Sequence, residues 1–138
     1  MIRICSLIGL LCLLINQTFA QSLSKQADRQ FDQLAYAQAV DLYEKALTGA
    51  GSMSEAERKA AKVKLGYSYH QMHDTKNAER VYRDLIQEGD LPNEYAQSYL
   101  YYAQALASNG KYKESQQVYE IFNKVQYDDR RGPNFSTL

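Results

Sequence analysis

The chain has 138 residues, of which 45% are hydrophobic, and its 16 basic side chains balance 16 acidic ones. A net charge of zero gives no electrostatic basis for binding nucleic acid or an anionic membrane. Both cysteines lie near the start, at Cys5 and Cys12. The rest of the chain therefore has no disulfide, thiolate nucleophile or cysteine metal site.

Residues 1–20 have the composition of a secretory signal peptide. Arg3 precedes an apolar run over 4–15, and Thr18, Phe19 and Ala20 form a small-residue cleavage signal. A membrane anchor is the alternative, but the run is shorter than the roughly 20 apolar residues that span a bilayer. The leucines before Cys12 do not fit a lipoprotein signal. We therefore predict cleavage after Ala20 and export of the chain.

Six helices are predicted in chain order after this segment. Helical periodicity and stop signals place five of them at about 22–34, 36–48, 54–72, 93–108 and 111–125. The fourth helix follows a turn over 74–77 and ends at about 87. Gly49 and Gly51 end the second helix, and Ser54 with Glu57 forms a capping box before the third. Pro92 suits the first turn of the fifth helix.

One pattern of aromatic and small residues recurs along these helices. Tyr36, Ala39 and Tyr43 lie on one helical face, and the same offsets return at Thr75, Ala78 and Tyr82 and at Tyr112, Ser115 and Tyr119. The small residues are 39 and then 37 positions apart. A second small residue, Ala27, Gly66 or Ala103, lies 12 positions before each of them. A small residue at both positions allows two helix backbones to approach closely.

This pattern resembles the tetratricopeptide repeat, whose motif is W-x2-L-G-x2-Y…A-x3-F…P. The second repeat matches best, at Leu65, Gly66, Tyr69, Ala78 and Tyr82. The resemblance implies an all-α solenoid of three stacked antiparallel helical hairpins, at about 22–51, 54–89 and 92–126 within a repeat domain spanning 21–126. Residues 127–138 are predicted to be an extended tail or a truncated linker.

The resemblance also implies a binding groove. In tetratricopeptide arrays the first helices of the hairpins line a concave surface, which here would carry Asp28, Val63, Tyr67, His70, Gln71, Leu100 and Gln104. Its mixed polar and aromatic character suits a peptide segment. We expect Tyr67 to be the anchor, although most of the 12 tyrosines fall on packing positions, and packing between hairpins is the alternative for Tyr67 as well.

Catalytic and metal chemistry is not expected. His70, His73 and Asp74 form one cluster at a helix end, but three residues there do not complete a metal site, and a surface turn accounts for them. The sequence shows no nucleophile with its base, phosphate loop or pair of catalytic carboxylates. We therefore predict a protein that is not an enzyme and takes no cofactor.

The whole chain is similar to the N-terminal part of exported OmpA-family proteins of Bacteroidetes, through its signal, its repeats and the ending Asp-Asp-Arg-Arg…Asn-Phe. In that family a β-propeller-like region and a peptidoglycan-binding domain follow, and neither is present in this sequence. The resemblance implies a periplasmic or outer-membrane-associated scaffold in a larger OmpA-family or secretion-associated assembly. Its partner would be an envelope protein or peptide segment, with no nucleic acid and no membrane insertion of the mature chain. The alternatives are an accessory repeat domain of an enzyme whose catalytic domain is missing and a free-standing periplasmic chaperone.

The export segment generates the first testable prediction. Mass spectrometry of the protein produced in a diderm host should show an N-terminus at Gln21, either free or cyclised. A membrane-embedded product that retains Met1 would contradict the predicted cleavage.

Overall fold

A computed structural model describes residues 23–49, 53–89 and 91–130, so the predicted signal peptide and residues 131–138 lie outside the described residues. All regular structure in these ranges is helical and no strand is present there. The helices are α1 (23–32), α2 (Tyr36–Thr48), α3 (Glu55–Gln71), α4 (Thr75–Gln87), a 3-10 turn (Asn93–Tyr95), α5 (Gln97–Ser108) and α6 (Tyr112–Arg130). The predicted all-α class is confirmed. Within the described ranges no helix has both the length and the hydropathy of a bilayer span.

The described chain divides into two compact units between Ser68 and Tyr69, within α3. The first unit contains α1, α2 and most of α3, and its buried residues include Ala27, Ala39 and the fully enclosed Tyr43. In the second unit α4 packs against α5 and α5 packs against α6. Aromatic and aliphatic side chains such as Tyr82 and Leu106 fill that core. Burial of apolar surface of this kind contributes about 25 cal/mol per Å² to the stability of each unit.

Three helix boundaries differ from those expected. Segment 74–77 was predicted to be a turn, which is wrong beyond Asp74, because α4 already begins at Thr75. The Asp74 carboxylate accepts a hydrogen bond from the Asn77 N–H at 3.2 Å and so caps the helix. The fifth helix starts at Gln97, after the 3-10 turn. Helix α6 runs to Arg130, into the segment predicted as a tail, because no glycine or proline interrupts the chain before Gly132.

The capping box at the start of α3 is confirmed. The Ser54 N–H donates to Glu57 Oε2 at 2.8 Å, and the Glu57 N–H donates to Ser54 Oγ at 3.2 Å. These two bonds satisfy amide groups that have no partner within the helix. The hydrogen bonds from the Ser54 backbone and hydroxyl lower the pKa of the Glu57 carboxyl.

The same turn geometry follows α1, α3 and α5. Leu34, His73 and Gly110 each take a positive φ, of 60°, 58° and 80° respectively. In all three turns this residue's N–H donates to the carbonyl three positions back, and the next N–H donates to the carbonyl five positions before it. This pair of bonds defines a Schellman turn. The positive-φ residues are 39 and 37 positions apart, which equals the spacing of the small residues in the sequence.

A small residue follows each Schellman turn at a fixed separation in sequence. Ala39, Ala78 and Ser115 come five residues after the positive-φ residue, and each is at most 4% exposed. The predicted third pair is in direct contact, because Ser115 Oγ donates to the Ala103 carbonyl at 2.8 Å. A hydroxyl can reach a backbone carbonyl of the neighbouring helix only where the two backbones lie close together. The small residues therefore set the separation of α5 and α6.

Overpacking at this contact generates the second prediction. Ser115→Leu places a large side chain against the α5 backbone and should lower the free energy of unfolding by about 1–3 kcal/mol. Gln116→Leu introduces the same side chain at the next, exposed position of α6 and should change it by less than about 0.5 kcal/mol. Urea denaturation measures both. Equal effects would show that Ser115 does not limit the approach of the two helices.

Candidate functional site

An aromatic cluster occupies the surface of the first unit. It consists of Phe31 at the end of α1, Tyr36 at the start of α2 and Tyr67 on α3. The Tyr67 ring centroid lies 5.7 Å from that of Phe31 and 6.0 Å from that of Tyr36, and Phe31 meets Tyr36 edge-on at 5.8 Å. All three side chains are half-buried. Partial burial, and secondarily the adjacent Tyr67 phenol, raise the pKa of Tyr36.

A polar network around Asp28 lies next to the aromatic cluster. The buried Tyr43 hydroxyl and the Lys64 ammonium both donate to Asp28 Oδ1, each at 2.6 Å. Asp28 thereby connects α1 to α2 and α3. Burial, followed by the hydrogen bond to Asp28, raises the pKa of Tyr43, which therefore stays a neutral donor. The Lys64 ammonium lies 5.7 Å from the Phe31 ring centroid, within cation–π range.

A second aromatic surface lies in the second unit. The His70 imidazole packs on Tyr101 with ring centroids 4.6 Å apart, and Tyr101 stacks on the buried Tyr82 at 6.4 Å. Burial, and to a lesser extent the neighbouring His73, lower the pKa of His70. The imidazole is therefore neutral at pH 7 and can both donate and accept hydrogen bonds.

The seven predicted groove residues divide between the two units. Asp28, Val63 and Tyr67 belong to the first unit, where Asp28 and Tyr67 take part in the contacts just described. His70, Gln71, Leu100 and Gln104 belong to the second unit. Six of the seven are half-buried and Gln71 is exposed. That they form one groove stays a prediction.

Sequence reasoning missed an ion cluster in the second unit, formed by Glu79, Arg83, Asn109 and Lys111. The Glu79 side chain is only 6% exposed, and its Oε1 accepts from both Arg83 and Lys111, the latter at 2.6 Å. Asn109 Nδ2 donates to Glu79 Oε2 at 2.7 Å. Arg83 follows Glu79 at the i+4 position, which is the one sequence signal for the pair.

Asn109 attaches the turn between α5 and α6 to the beginning of α4. Its Oδ1 accepts from Thr75 Oγ1 at 2.7 Å, and its Nδ2 also donates to the Thr75 carbonyl at 3.1 Å. Burial alone would raise the pKa of the Glu79 carboxyl. The hydrogen bonds from Lys111 and Asn109 and the charges of Lys111 and Arg83 outweigh burial and hold the pKa below its ordinary value.

The cluster of His70, His73 and Asp74 singled out in the sequence is resolved by the contacts of Asp74. Asp74, which the sequence places beside His70 and His73, accepts bonds from the Asn77 backbone and side chain and so acts as a helix cap. No group of three or more His, Cys, Asp or Glu side chains is placed to hold a metal ion in the described ranges. The described surface presents half-buried aromatic rings, a neutral imidazole and cations held by a buried carboxylate.

No protein-family model, curated protein or solved structure matches this chain. Function is therefore inferred from the contacts described above and from the repeat motif.

The ion cluster generates the third prediction. Because the folded pKa of Glu79 is lowered, its contribution to stability is fully present above the ordinary value of 4.5 and is lost as the pH falls through the folded pKa. Glu79→Gln should lower the free energy of unfolding at neutral pH by about 3 kcal/mol, the low end for a broken buried ion pair. The side chains of the two cations, Arg83 and Lys111, remain about 40% exposed, and contact with water reduces the expected loss of stability.

Urea denaturation at about pH 7 and about pH 3 tests this linkage. The gap between the native protein and Glu79→Gln should narrow at the acidic pH, because the stabilisation is lost as the pH falls through the lowered pKa of the native carboxyl. The control is Glu120→Gln, at an exposed position on α6, which should show little effect at either pH. A gap that is the same at both pH values would contradict the assigned role of the Glu79 charge.

Proposed function

We propose that the chain is a helical-repeat protein of the tetratricopeptide kind that binds a segment of a partner protein. The observation that carries the proposal is the recurrence of one Schellman turn, with a buried small residue five positions later, at the spacing of the sequence repeat. Such recurrence is expected of repeated helix–turn–helix units. It supports a division into three antiparallel hairpins, stacked as in a solenoid.

In such an array α1, α3 and α5 line one surface. The residues proposed for it are the half-buried Tyr67 and Val63 of the first unit and the half-buried Leu100, His70 and Gln104 of the second. An extended peptide presents apolar side chains and free backbone amides, so both kinds of group find partners there. The neutral His70 avoids the cost of desolvating a charge when a ligand covers it.

Tyr67 is the proposed anchor of this surface. Phe31 and Tyr36 hold its ring on two sides, so little rotamer freedom remains to be lost on binding. Tyrosines fixed in this way commonly dominate interface energies. The same contacts also favour the alternative role of Tyr67, which is packing between hairpins. The experiment below distinguishes the two roles.

The proposed location follows from the signal-like residues 1–20. An exported chain would act in the periplasm or at the outer membrane of a diderm bacterium. We propose a scaffold that catalyses no reaction and takes no cofactor. It would join an envelope protein to a larger OmpA-family or secretion-associated assembly.

The anchor role generates the fourth prediction. Tyr67→Ala should weaken binding to a partner identified by crosslinking in the envelope by about 2 kcal/mol, the scale of an interface hot spot. Binding is measured by calorimetry well below the melting temperature, so that the folded fraction is known. The matched control is Tyr112→Ala, because Tyr112 is 73% exposed and outside the proposed groove.

The melting temperature distinguishes the two roles of Tyr67. Weaker binding by a protein that melts near the native temperature supports the anchor. A lower melting temperature with full binding by the folded fraction would assign Tyr67 to packing and overturn its place in the binding surface.

A further inference from the structure

A cationic concavity lies in the second unit, and none of the seven groove residues lines it. It has a volume of about 620 Å³ and is formed by one face of α4, the end of α5 and the turn before α6. Its charged side chains are Lys76, Arg80, Arg83, Lys111 and Glu79. Four cations and one carboxylate thus meet on a chain whose total charge is zero. The concavity therefore has a local excess of positive charge, although the chain as a whole has none.

Two of the four cations are held in place before any ligand arrives. Arg83 and Lys111 both bond to Glu79, yet their side chains remain 41% and 40% exposed, while that of Glu79 is only 6% exposed. Tyr102 and, after it, Glu79 raise the pKa of Arg83. Asn109 Nδ2 donates a hydrogen bond to Oε2, the other oxygen of the Glu79 carboxylate. An anion in the concavity would therefore meet ordered cations, whose side-chain entropy has already been lost.

The carboxylate of the ion cluster cancels only part of the positive charge of the concavity, since four cations face one carboxylate. Glu79 lies beneath the surface and is covered by Arg83 and Lys111, whereas Lys76 and Arg80 are exposed on α4. Lysine and arginine together suit carboxylate ligands, since Arg offers a planar fork and Lys a point charge. Concave surfaces lined by one sign of charge concentrate ligands of the opposite sign.

We infer that this concavity binds an acidic peptide segment, one rich in Asp or Glu, of a protein partner. A nucleic acid is the poorer fit, because phosphate backbones need a long basic surface and the charge of the chain as a whole is balanced. The inference does not depend on the proposed groove, since none of the seven groove residues lines this surface.

The test uses the full chain and a fluorescein-labelled polyglutamate peptide, with anisotropy as the readout. Polyglutamate should bind and polylysine should not, and added salt should weaken the complex. Lys76→Glu should weaken polyglutamate binding by about tenfold. The matched control, Lys124→Glu, makes the same charge change at an exposed position of α6 outside the concavity and should change it by less than about twofold. Arg80→Ala should also weaken the complex without reversing a charge.

Four results would overturn the inference. They are absence of polyglutamate binding, equal losses for Lys76→Glu and Lys124→Glu, displacement of the peptide by inorganic phosphate at a similar concentration, and tighter binding of oligothymidine through the same residues.

Discussion

Close approach of helix backbones at small residues is the constraint on which the described fold depends. Ser115 reaches the Ala103 carbonyl directly, and Ala27, Ala39 and Ala78 are almost completely excluded from solvent. Large aromatic rings such as Tyr43 and Tyr82 then fill the space that remains around these contacts. A small residue therefore determines how near two helices come, and the tyrosines determine how well the rest of the interface is packed.

Polar interactions add specificity to this packing in each unit. Asp28 joins three helices of the first unit through Tyr43 and Lys64. In the second unit Glu79 and Asn109 fix the turn between α5 and α6 against α4. Asp28 bonds to groups 15 and 36 residues away, and Glu79 bonds to Asn109 and Lys111, 30 and 32 residues away, as well as to Arg83 on the same helix. Each network also positions a cation at the surface, so the interactions that organise the core help to define the chemistry offered to a partner.

The sequence was most informative where local periodicity determines structure. The spacing of aromatic and small residues correctly indicated which positions of α2, α4 and α6 carry buried small residues. The spacing of Ser54 and Glu57 correctly indicated the capping box. The ion cluster was not predictable, because Glu79 lies beside Ala78 on a helix rich in charge and its partner Lys111 is 32 residues away. Asp28 was expected to line a groove, and nothing local indicated its bonds to Tyr43 and Lys64. Residues 75–77 were assigned to a turn because the preceding cap, Asp74, is also a common turn residue.

The three Schellman turns differ in one respect that bears on how the chain folds. Leu34 and His73 adopt a left-handed conformation that costs an L-residue about 1–2 kcal/mol, whereas Gly110 adopts it without a steric penalty. All three turns connect helices that are adjacent in sequence, so each can close with little loop entropy. The α5–α6 turn is consequently the easiest to nucleate. Folding that begins there would proceed toward the N-terminus, against the direction in which the ribosome releases the chain.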